Sequence, residues 1–258
     1  MNVLITAGGI PTPEDSLYEI TKGGYKSLIL LAGKPIIQWI LDAFSPSQKI
    51  DEIVIVGLPS DTPLSSSHPL HFVPDQGDMI LNTRSGLDEL RRIDPKAEYS
   101  VMCAGDVPAI TPEMVGWFLE AISTFNADLI YSIVRREVME ETFPTSKRTY
   151  LHLKGIEVCG GDIFGIRMDP SVQNHPIWND LIAARKKPIK QAAMFGFDTL
   201  FLVLTRLLTV NQLEERISRK LGLKGRTLLT PYAEMGMDVD KLFQLEIVQD
   251  YLTQKGTR

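Results

Sequence analysis

The feature that most constrains the fold is a regular alternation of short apolar runs with longer amphipathic segments. The runs lie at residues 3–5, 53–57, 99–104 and 128–134, and β-branched residues recur in them. Continuous apolar runs of this length are typical of strands buried on both faces of a parallel sheet. Helical patterns separate them, so the sequence predicts a three-layer α/β/α fold with a mostly parallel central sheet.

Two of the helices between these strands have clear sequence signals. Apolar residues recur at helical spacing over 36–44, which predicts a helix with one buried face. Thr111 is a predicted N-cap, and Pro112 suits the first helical position.

The second half of the chain has a different pattern. Charged residues fill 135–154, which predicts a hairpin or flap, and 158–166 is predicted as a strand interrupted by glycines. Residues 176–223 are mostly helical in pattern. We expect them to form a helical addition within a single domain that spans residues 1–258.

A basic cluster precedes the apolar helix of this addition. Three interpretations stay open: a solvated basic turn, a surface for an acceptor phosphate or a second subunit, and a helix that lies on a membrane. We favour the first, so membrane contact is not expected, whereas a homodimer is compatible with the sequence. The cluster consists of Arg185, Lys186, Lys187 and Lys190.

Composition narrows the class of protein. With 258 residues, 44% of them hydrophobic, the chain is long enough for a large core. Its net charge of −5 argues against nonspecific binding of nucleic acid, which needs a basic surface. Cys103 and Cys159 have neither disulfide-framework nor zinc-site spacing, so reduced thiols are expected. No signal-peptide pattern opens the sequence, which favours a cytoplasmic protein.

A turn of small residues follows the first predicted strand. Gly8 and Gly9 let the backbone adopt positive φ and let its N–H groups approach a ligand. Consecutive N–H groups in such a turn form a concavity that binds anions, and Lys26 would add a positive charge. The turn has neither the P-loop pattern nor the dinucleotide fingerprint. A purely structural turn is therefore the alternative to a triphosphate site.

Acidic residues stand at two further positions of interest. Asp106 follows the predicted strand 99–104, at the edge where open α/β folds bind ligands. Asp238 and Asp240 share a face if they are extended, because they lie two residues apart. Such carboxylates, together with substrate phosphates, suit Mg²⁺. The alternatives are a turn cap for Asp106 and a favourable helix-dipole interaction for the later pair.

Four motifs occur in a fixed order along the chain. They are Leu4-Ile-Thr-Ala-Gly-Gly9 with Lys26, Ala32-Gly-Lys-Pro35, Ala104-Gly-Asp-Val-Pro-Ala-Ile-Thr111 and Met237-Asp-Val-Asp240. In this order they resemble the MobA-like nucleotidyltransferases of the GT-A-like superfamily, over about residues 1–135 and 225–255. The resemblance implies Mg²⁺-dependent transfer of an NMP group from an NTP, with CTP or GTP expected, to a phosphorylated small molecule, with release of pyrophosphate.

The resemblance also implies roles for individual residues. The triphosphate would be held by Ala7, Gly8, Gly9 and Lys26, and Mg²⁺ by Asp106 and Asp240, with Asp238 the less favoured ligand. Lys26 and Asp106 would be the catalytic residues. The base and ribose would meet Gln76, Gly77, Asn82 and Ser85, for which an ordinary polar loop is the alternative. The acceptor would meet Gly160, Gly161 and Asp162, for which the alternative is a β-bulge.

The first loop departs from the family pattern. Relatives continue the glycine turn into G-x-R, whose arginine grips the triphosphate, whereas here Gly9 is followed by Ile10 and Pro11. Lys22 is a possible substitute. The departure keeps one alternative open, which is a non-catalytic protein of the same fold that binds a nucleotide or nucleotide sugar. A GT-A glycosyltransferase is disfavoured, because the chain has no D-x-D in the middle of its sequence.

Overall fold

The structure, a computed structural model, describes residues 1–173, 175–184 and 196–256. Its strands are β1 (Asn2–Thr6), β2 (Leu30–Leu31), β3 (Lys34–Pro35), β4 (Ile53–Val56), β5 (Leu70–Val73), β6 (Tyr99–Ala104), β7 (Leu129–Arg135), β8 (Leu151–Leu153), β9 (Ile156–Arg167) and β10 (Gly225–Thr230). Its helices are α1 (Tyr18–Thr21), α2 (Ile36–Phe44), α3 (Met79–Ile93), α4 (Pro112–Ser123), α5 (Arg136–Thr142), α6 (Pro170–Gln173), α7 (Ile177–Ala184), α8 (Phe197–Leu204), α9 (Val210–Leu221) and α10 (Leu242–Gly256). Short 3-10 turns cover Lys26–Leu28 and Ala233–Gly236.

Within these residues, eight strands form the central sheet. Seven follow one another in the order β10-β7-β9-β6-β1-β4-β5, and β8 pairs with β9. The pairs β1–β4, β1–β6, β4–β5 and β7–β10 are parallel, whereas β9 is antiparallel to β6, β7 and β8. The predicted mostly parallel sheet is confirmed, with β9 as its reversed strand.

Alternate side chains of the inner strands enter cores on opposite faces of the sheet. Val3 and Ile5 of β1 belong to the cluster that α2, α4 and α10 cover, whereas Leu4 belongs to the cluster covered by α3. All three side chains are fully buried. A strand buried on both faces is expected in a sheet with helices on each side. The predicted three-layer architecture is therefore confirmed.

The parallel register brings several strand ends to one edge of the sheet. Thr6, the last residue of β1, pairs with Val56 of β4 on one side and with Ala104 of β6 on the other. The segments that follow these three strands therefore lie next to one another. This is the edge where ligands bind in open α/β folds.

Helix α4 begins as the sequence predicts. The Thr111 side chain accepts a hydrogen bond from the Met114 backbone N–H, and Pro112 occupies the first turn. This cap satisfies one of the four N–H groups that have no partner within the helix.

The prediction of a hairpin or flap over 135–154 is wrong in its first part, because α5 forms there. Met139 and Phe143, four residues apart, are both buried, and Arg136 pairs with Glu140 on the other face. Charged residues on the exposed face concealed this helical spacing in the sequence. The later part of the segment does enter a hairpin, formed by β8 and β9.

Within the described part of 176–223, the helical segments are α7, α8 and α9. The basic cluster Arg185, Lys186, Lys187 and Lys190 lies outside the described residues. The division into one domain with an addition at 176–223 stays a prediction. In the described part of the chain, no helix combines the length and apolarity needed to cross a membrane.

Candidate active site

The glycine turn after β1 is fixed by a close approach of two backbones. The Ala7 N–H donates to the Val56 carbonyl oxygen at 2.8 Å, which continues the pairing of β1 with β4 beyond the strand. Gly57 has φ of +105°, and a Cβ built on it would lie 2.2 Å from the Gly8 Cα. Only glycine fits at position 57, since a side chain would push the turn away from the sheet edge.

Lys26 is anchored against this turn although it lies seventeen residues further along the chain. Its N–H donates to the Gly9 carbonyl oxygen at 2.8 Å, and the Ser27 hydroxyl donates to the Ala7 carbonyl oxygen at 2.9 Å. The long loop that begins at Ile10 therefore starts and ends beside the glycine turn. The lysine side chain extends from this fixed base across Gly9.

The ammonium of Lys26 contacts two carboxylates from distant parts of the sequence. Its Nζ lies 2.5 Å from Asp106 Oδ2 and 2.5 Å from Asp240 Oδ1. The side chains of Lys26 and Asp106 are each 17% exposed, whereas that of Asp240 is 57% exposed. The Lys26 ammonium therefore links a largely buried carboxylate, Asp106, to a more exposed one, Asp240.

Backbone contacts hold the two acidic segments together. Asp106 follows β6, and its carbonyl oxygen accepts a hydrogen bond from the Val239 N–H at 2.9 Å. The buried Gln244 side chain accepts from the N–H groups of Asp240 and Lys241 at the start of α10. This cap fixes the backbone of Asp240, whose side chain contacts Lys26.

Asp238 has a partner that the sequence did not suggest. Its Oδ1 accepts a hydrogen bond from the Arg148 guanidinium, and the two side chains are 15% and 16% exposed. Burial raises the pKa of Asp238, Arg148 lowers it, and the neighbouring Asp240 and Asp106 raise it, with a balance at about 6. Asp238 is thus held by an arginine, while Asp106 and Asp240 share a lysine.

Asp162 lies beside the same group of charges. It belongs to a bulge of β9, because the pairing with β7 shifts between Tyr131 and Ile133. Burial raises the pKa of Asp162 well above its usual range, and the nearby Asp238 and Asp106 raise it further. Among the described residues, no donor reaches its buried Oδ2 atom.

The lysine and its outer carboxylate stay charged. Burial lowers the pKa of Lys26, but the Coulombic attraction and hydrogen bond of Asp106 raise it more, so it lies above its usual value. Burial raises the pKa of Asp240, but the hydrogen bond and charge of Lys26, the hydrogen bond with Asp238 and the charge of Arg148 together outweigh it, so the pKa lies below its usual value. The centre therefore combines several carboxylates with two fixed cations.

The donor set fits a divalent cation. One carboxylate oxygen from each of Asp106, Asp238 and Asp240 lies within 4.8 Å of the others. Asp106 Oδ1 is buried, and no donor within the described chain contacts it. Hard oxygen ligands of this kind suit Mg²⁺, which is commonly held by one or two carboxylates and by phosphate oxygens.

A cavity of about 450 Å³ opens between the glycine turn and the start of α3. Asn82 organises its far wall: its Nδ2 donates to Asp75 Oδ1, and its Oδ1 accepts from the Gln76 N–H, both at 2.7 Å. The lining residues are Thr6, Ala7, Gly8, Gly9, Ile10, Lys26, Ser27, Asp75, Gly77, Asp78, Met79, Asn82, Ala104, Gly105 and Asp106.

Seven residues predicted to contact ligands do not line this cavity: Gln76, Ser85, Gly160, Gly161, Asp162, Asp238 and Asp240. The Gln76 side chain donates to the Pro74 carbonyl oxygen, and the Ser85 hydroxyl donates to the Asn82 carbonyl oxygen within α3. Gly160 and Gly161, both described, lie within β9 against β7 rather than in a turn. The bulge there is the arrangement that the sequence left as the alternative.

A second cavity, of about 570 Å³, lies on the other side of Lys26. The loop after the glycine turn forms one wall, and Asp240 with Lys241 forms the other. Lys22 is exposed and lies outside the lining of both cavities. Two site residues went unrecognised in the sequence: Asp75, which follows β5 as Asp106 follows β6, and Arg148, which has no motif around it.

These features can now be set beside known proteins. The sequence model of the MobA-like NTP transferase domain matches residues 20–188, so the chain belongs to this family and is a nucleotidyltransferase by class. A hypothetical transferase from Thermus thermophilus is similar to it, with 28% identity, 95% of this chain and 98% of that chain covered, and a TM-score of 0.80. No curated protein matches the sequence.

More distant solved structures share the fold. A CMP:2-keto-3-deoxy-manno-octonic acid synthetase complexed with CTP is 15% identical, with 98% of each chain covered and a TM-score of 0.59. A 2-C-methyl-D-erythritol 4-phosphate cytidylyltransferase from Thermus thermophilus is 12% identical, with the same coverage and a TM-score of 0.54. At these identities the likeness concerns the fold.

Proposed function

We propose that this chain transfers the NMP group of CTP or GTP to a phosphorylated small molecule, with Mg²⁺, and releases pyrophosphate. The observation that carries the proposal is the position of Lys26, 2.5 Å from both Asp106 and Asp240, at the wall of the cavity behind the glycine turn. The Lys26 ammonium and the glycine turn would bind the phosphates, and the adjacent carboxylates would bind the cation that accompanies them.

The names of the structural neighbours support the choice of substrates. One of them is a synthetase in complex with CTP, and another is a cytidylyltransferase named for a phosphorylated compound. CTP and a phosphorylated acceptor are therefore the substrates to test first, and GTP is the next nucleotide to test.

In this proposal, one group of residues binds the nucleotide and another binds the cation. The amides of Gly8 and Gly9 and the ammonium of Lys26 bind the triphosphate, and Asn82 holds the loop that faces the base. Asp106 and Asp240 hold the cation, which neutralises charge on the phosphate oxygens when it is bound.

The reaction needs little acid–base chemistry. An anionic oxygen of the acceptor phosphate attacks the α-phosphorus of the NTP, and the bond from this phosphorus to the bridging oxygen breaks. The electron pair leaves with pyrophosphate, so no proton must be removed from the nucleophile. The rate then depends on alignment of the two phosphates and on neutralisation of charge, which the fixed groups supply.

Release of pyrophosphate tests the proposal directly. The protein is incubated with Mg²⁺, each of the four NTPs and a set of sugar phosphates, alditol phosphates and pterin phosphates. We expect pyrophosphate with CTP or GTP and one acceptor, and a rate close to background for Asp106→Asn. Binding of a nucleotide without any pyrophosphate above the Asp106→Asn level would instead favour the non-catalytic binding protein.

A further inference from the structure

The ammonium of Lys26 occupies the position between the two carboxylates that are best placed to bind a cation. Its contacts with Asp106 Oδ2 and Asp240 Oδ1 are both short, at 2.5 Å. A Mg²⁺ ion lies about 2.0–2.1 Å from each oxygen that binds it. The same two oxygens cannot serve the ammonium and a divalent cation together, because the two positive centres would nearly coincide.

The remaining oxygen of Asp106 offers no way around this competition. Asp106 Oδ1 is buried, so a cation cannot reach it from solvent while the ammonium stays in front. Asp238 is held by Arg148 through its Oδ1. Among the described residues, Asp106, Asp238 and Asp240 thus each already have one oxygen paired with a side-chain cation.

The Lys26 ammonium also has a second position within reach, near the glycine turn. Its backbone is fixed by the Gly9 carbonyl oxygen, and its side chain lines both cavities. Rotation about its side-chain bonds moves the ammonium from the carboxylates toward the turn formed by Gly8 and Gly9. In the absence of an anion there, the ammonium gains nothing by moving, because the carboxylates are its closest counter-charges.

We infer that Lys26 excludes the divalent cation from Asp106 and Asp240 until a triphosphate draws the ammonium away, so that the chain takes up its cation together with the nucleotide. This inference rests on the proposed function. A triphosphate supplies negative charge at the glycine turn and oxygen ligands for the cation. The ammonium then exchanges carboxylates for phosphates, and the cation replaces it. The ligand of the site is the cation–nucleotide complex and not a resident ion.

Calorimetric titration with Mn²⁺, without turnover, tests this order. For the wild type we expect weak binding of Mn²⁺ alone, and binding at least about tenfold tighter in the presence of α,β-methylene CTP or GTP. Lys26→Met should bind Mn²⁺ alone about tenfold more tightly than the wild type and should gain less from the analogue. Lys26→Arg keeps the charge and should stay weak.

A matched control separates exclusion from a general change in charge. Lys241 is exposed and adjacent to Asp240 in sequence, so Lys241→Met removes the same charge without opening the carboxylates. It should bind Mn²⁺ like the wild type. The rise in Tm on addition of Mn²⁺ should be larger for Lys26→Met than for the wild type or Lys241→Met. The thermal transition itself also shows that the variant is folded.

The outcomes distinguish the inference from the function it rests on. If Lys26→Met binds Mn²⁺ no more tightly than the wild type, while Asp106→Asn abolishes binding, the exclusion by Lys26 is overturned and the metal site stands. If Asp106→Asn binds Mn²⁺ as tightly as the wild type with and without the analogue, the metal assignment of the proposed function fails as well.

Discussion

The two halves of the site are built in different ways. One half, which we call the nucleotide half because we propose that the nucleotide binds there, consists of the turn after β1, the residues after β4 and the start of α3. These segments present backbone groups and short-range hydrogen bonds. On the opposite side, Arg148, Asp162 and Asp238 come from three separate segments, and Arg148 and Asp238 meet through their side chains. A turn built from local backbone leaves a motif in the sequence, and so do Asp162 and Asp238, whereas a distant side-chain partner such as Arg148 does not.

The largest expected effect comes from the carboxylate that both halves share. Asp106→Asn removes the negative charge that contacts Lys26 and would hold the cation, so the rate of pyrophosphate release should fall on the order of 10²–10³-fold. Initial rates at saturating NTP measure this. The exposed Asp61→Asn is the control and should keep the wild-type rate. Equal rates for both variants would remove Asp106 from the mechanism.

The backbone construction of the nucleotide half predicts a large loss of stability at one glycine. Gly57→Ala places a Cβ 2.2 Å from the Gly8 Cα at positive φ, and should lower the free energy of unfolding by about 3 kcal/mol. Urea denaturation measures it. In α4, Gly116→Ala meets no atom within 4 Å and should stabilise the protein by about 0.5–1 kcal/mol. A neutral Gly57→Ala would contradict the close approach of the two backbones.

The side-chain construction of the other half is tested by its ion pair. Arg148→Met leaves Asp238 largely buried without its cation and should lower the free energy of unfolding by about 2 kcal/mol. The double variant with Asp238→Asn should recover part of this loss. Arg92→Met, which breaks the exposed pair with Glu89, should leave the urea midpoint unchanged. Similar losses of stability for Arg148→Met and Arg92→Met would mean that the buried ion pair contributes no more to stability than the exposed one.

The smallest effects sharpen the limits of the nucleotide half. Asn82→Ala removes two hydrogen bonds that hold Asp75 and Gln76, and should cost about 1 kcal/mol of stability and raise the KM for the NTP. Ser85→Ala loses only a contact within α3 and should change stability by less than about 0.5 kcal/mol, with KM unchanged. A raised KM for Ser85→Ala would return this residue to the binding site.

Sequence reasoning reached the fold because the strands are apolar at consecutive positions. The strand 99–104 is found in the structure with the predicted bounds, and the N-cap at Thr111 is also confirmed. Helix α5 escaped prediction because Met139 is its buried residue, Phe143 follows just after its end, and most of the other positions are charged. Helical periodicity is hard to see when so few positions carry it.

Sequence reasoning reached the site only where a motif is local. The glycine turn, Lys26, Asp106 and Asp240 were all singled out, and the structure brings them together, although their roles stay predictions. Arg148 had no signal, because nothing in its neighbours specifies a carboxylate ninety residues away. For Gly160 and Gly161 the sequence left an acceptor site and a β-bulge open, since a double glycine within a strand does not distinguish the two.

The hydrogen bond from the Val239 N–H to the Asp106 carbonyl oxygen has a consequence for biosynthesis. At a synthesis rate of about 5–20 residues per second, Asp240 is made roughly 7–27 s after Asp106. During this interval the nascent chain contains the residues of β1, β4 and β6 but neither Asp240 nor the Val239 N–H that ties it to Asp106. A growing polypeptide thus contains every residue that lines the first cavity before it contains the second carboxylate, so the charge centre cannot be complete until synthesis is nearly finished.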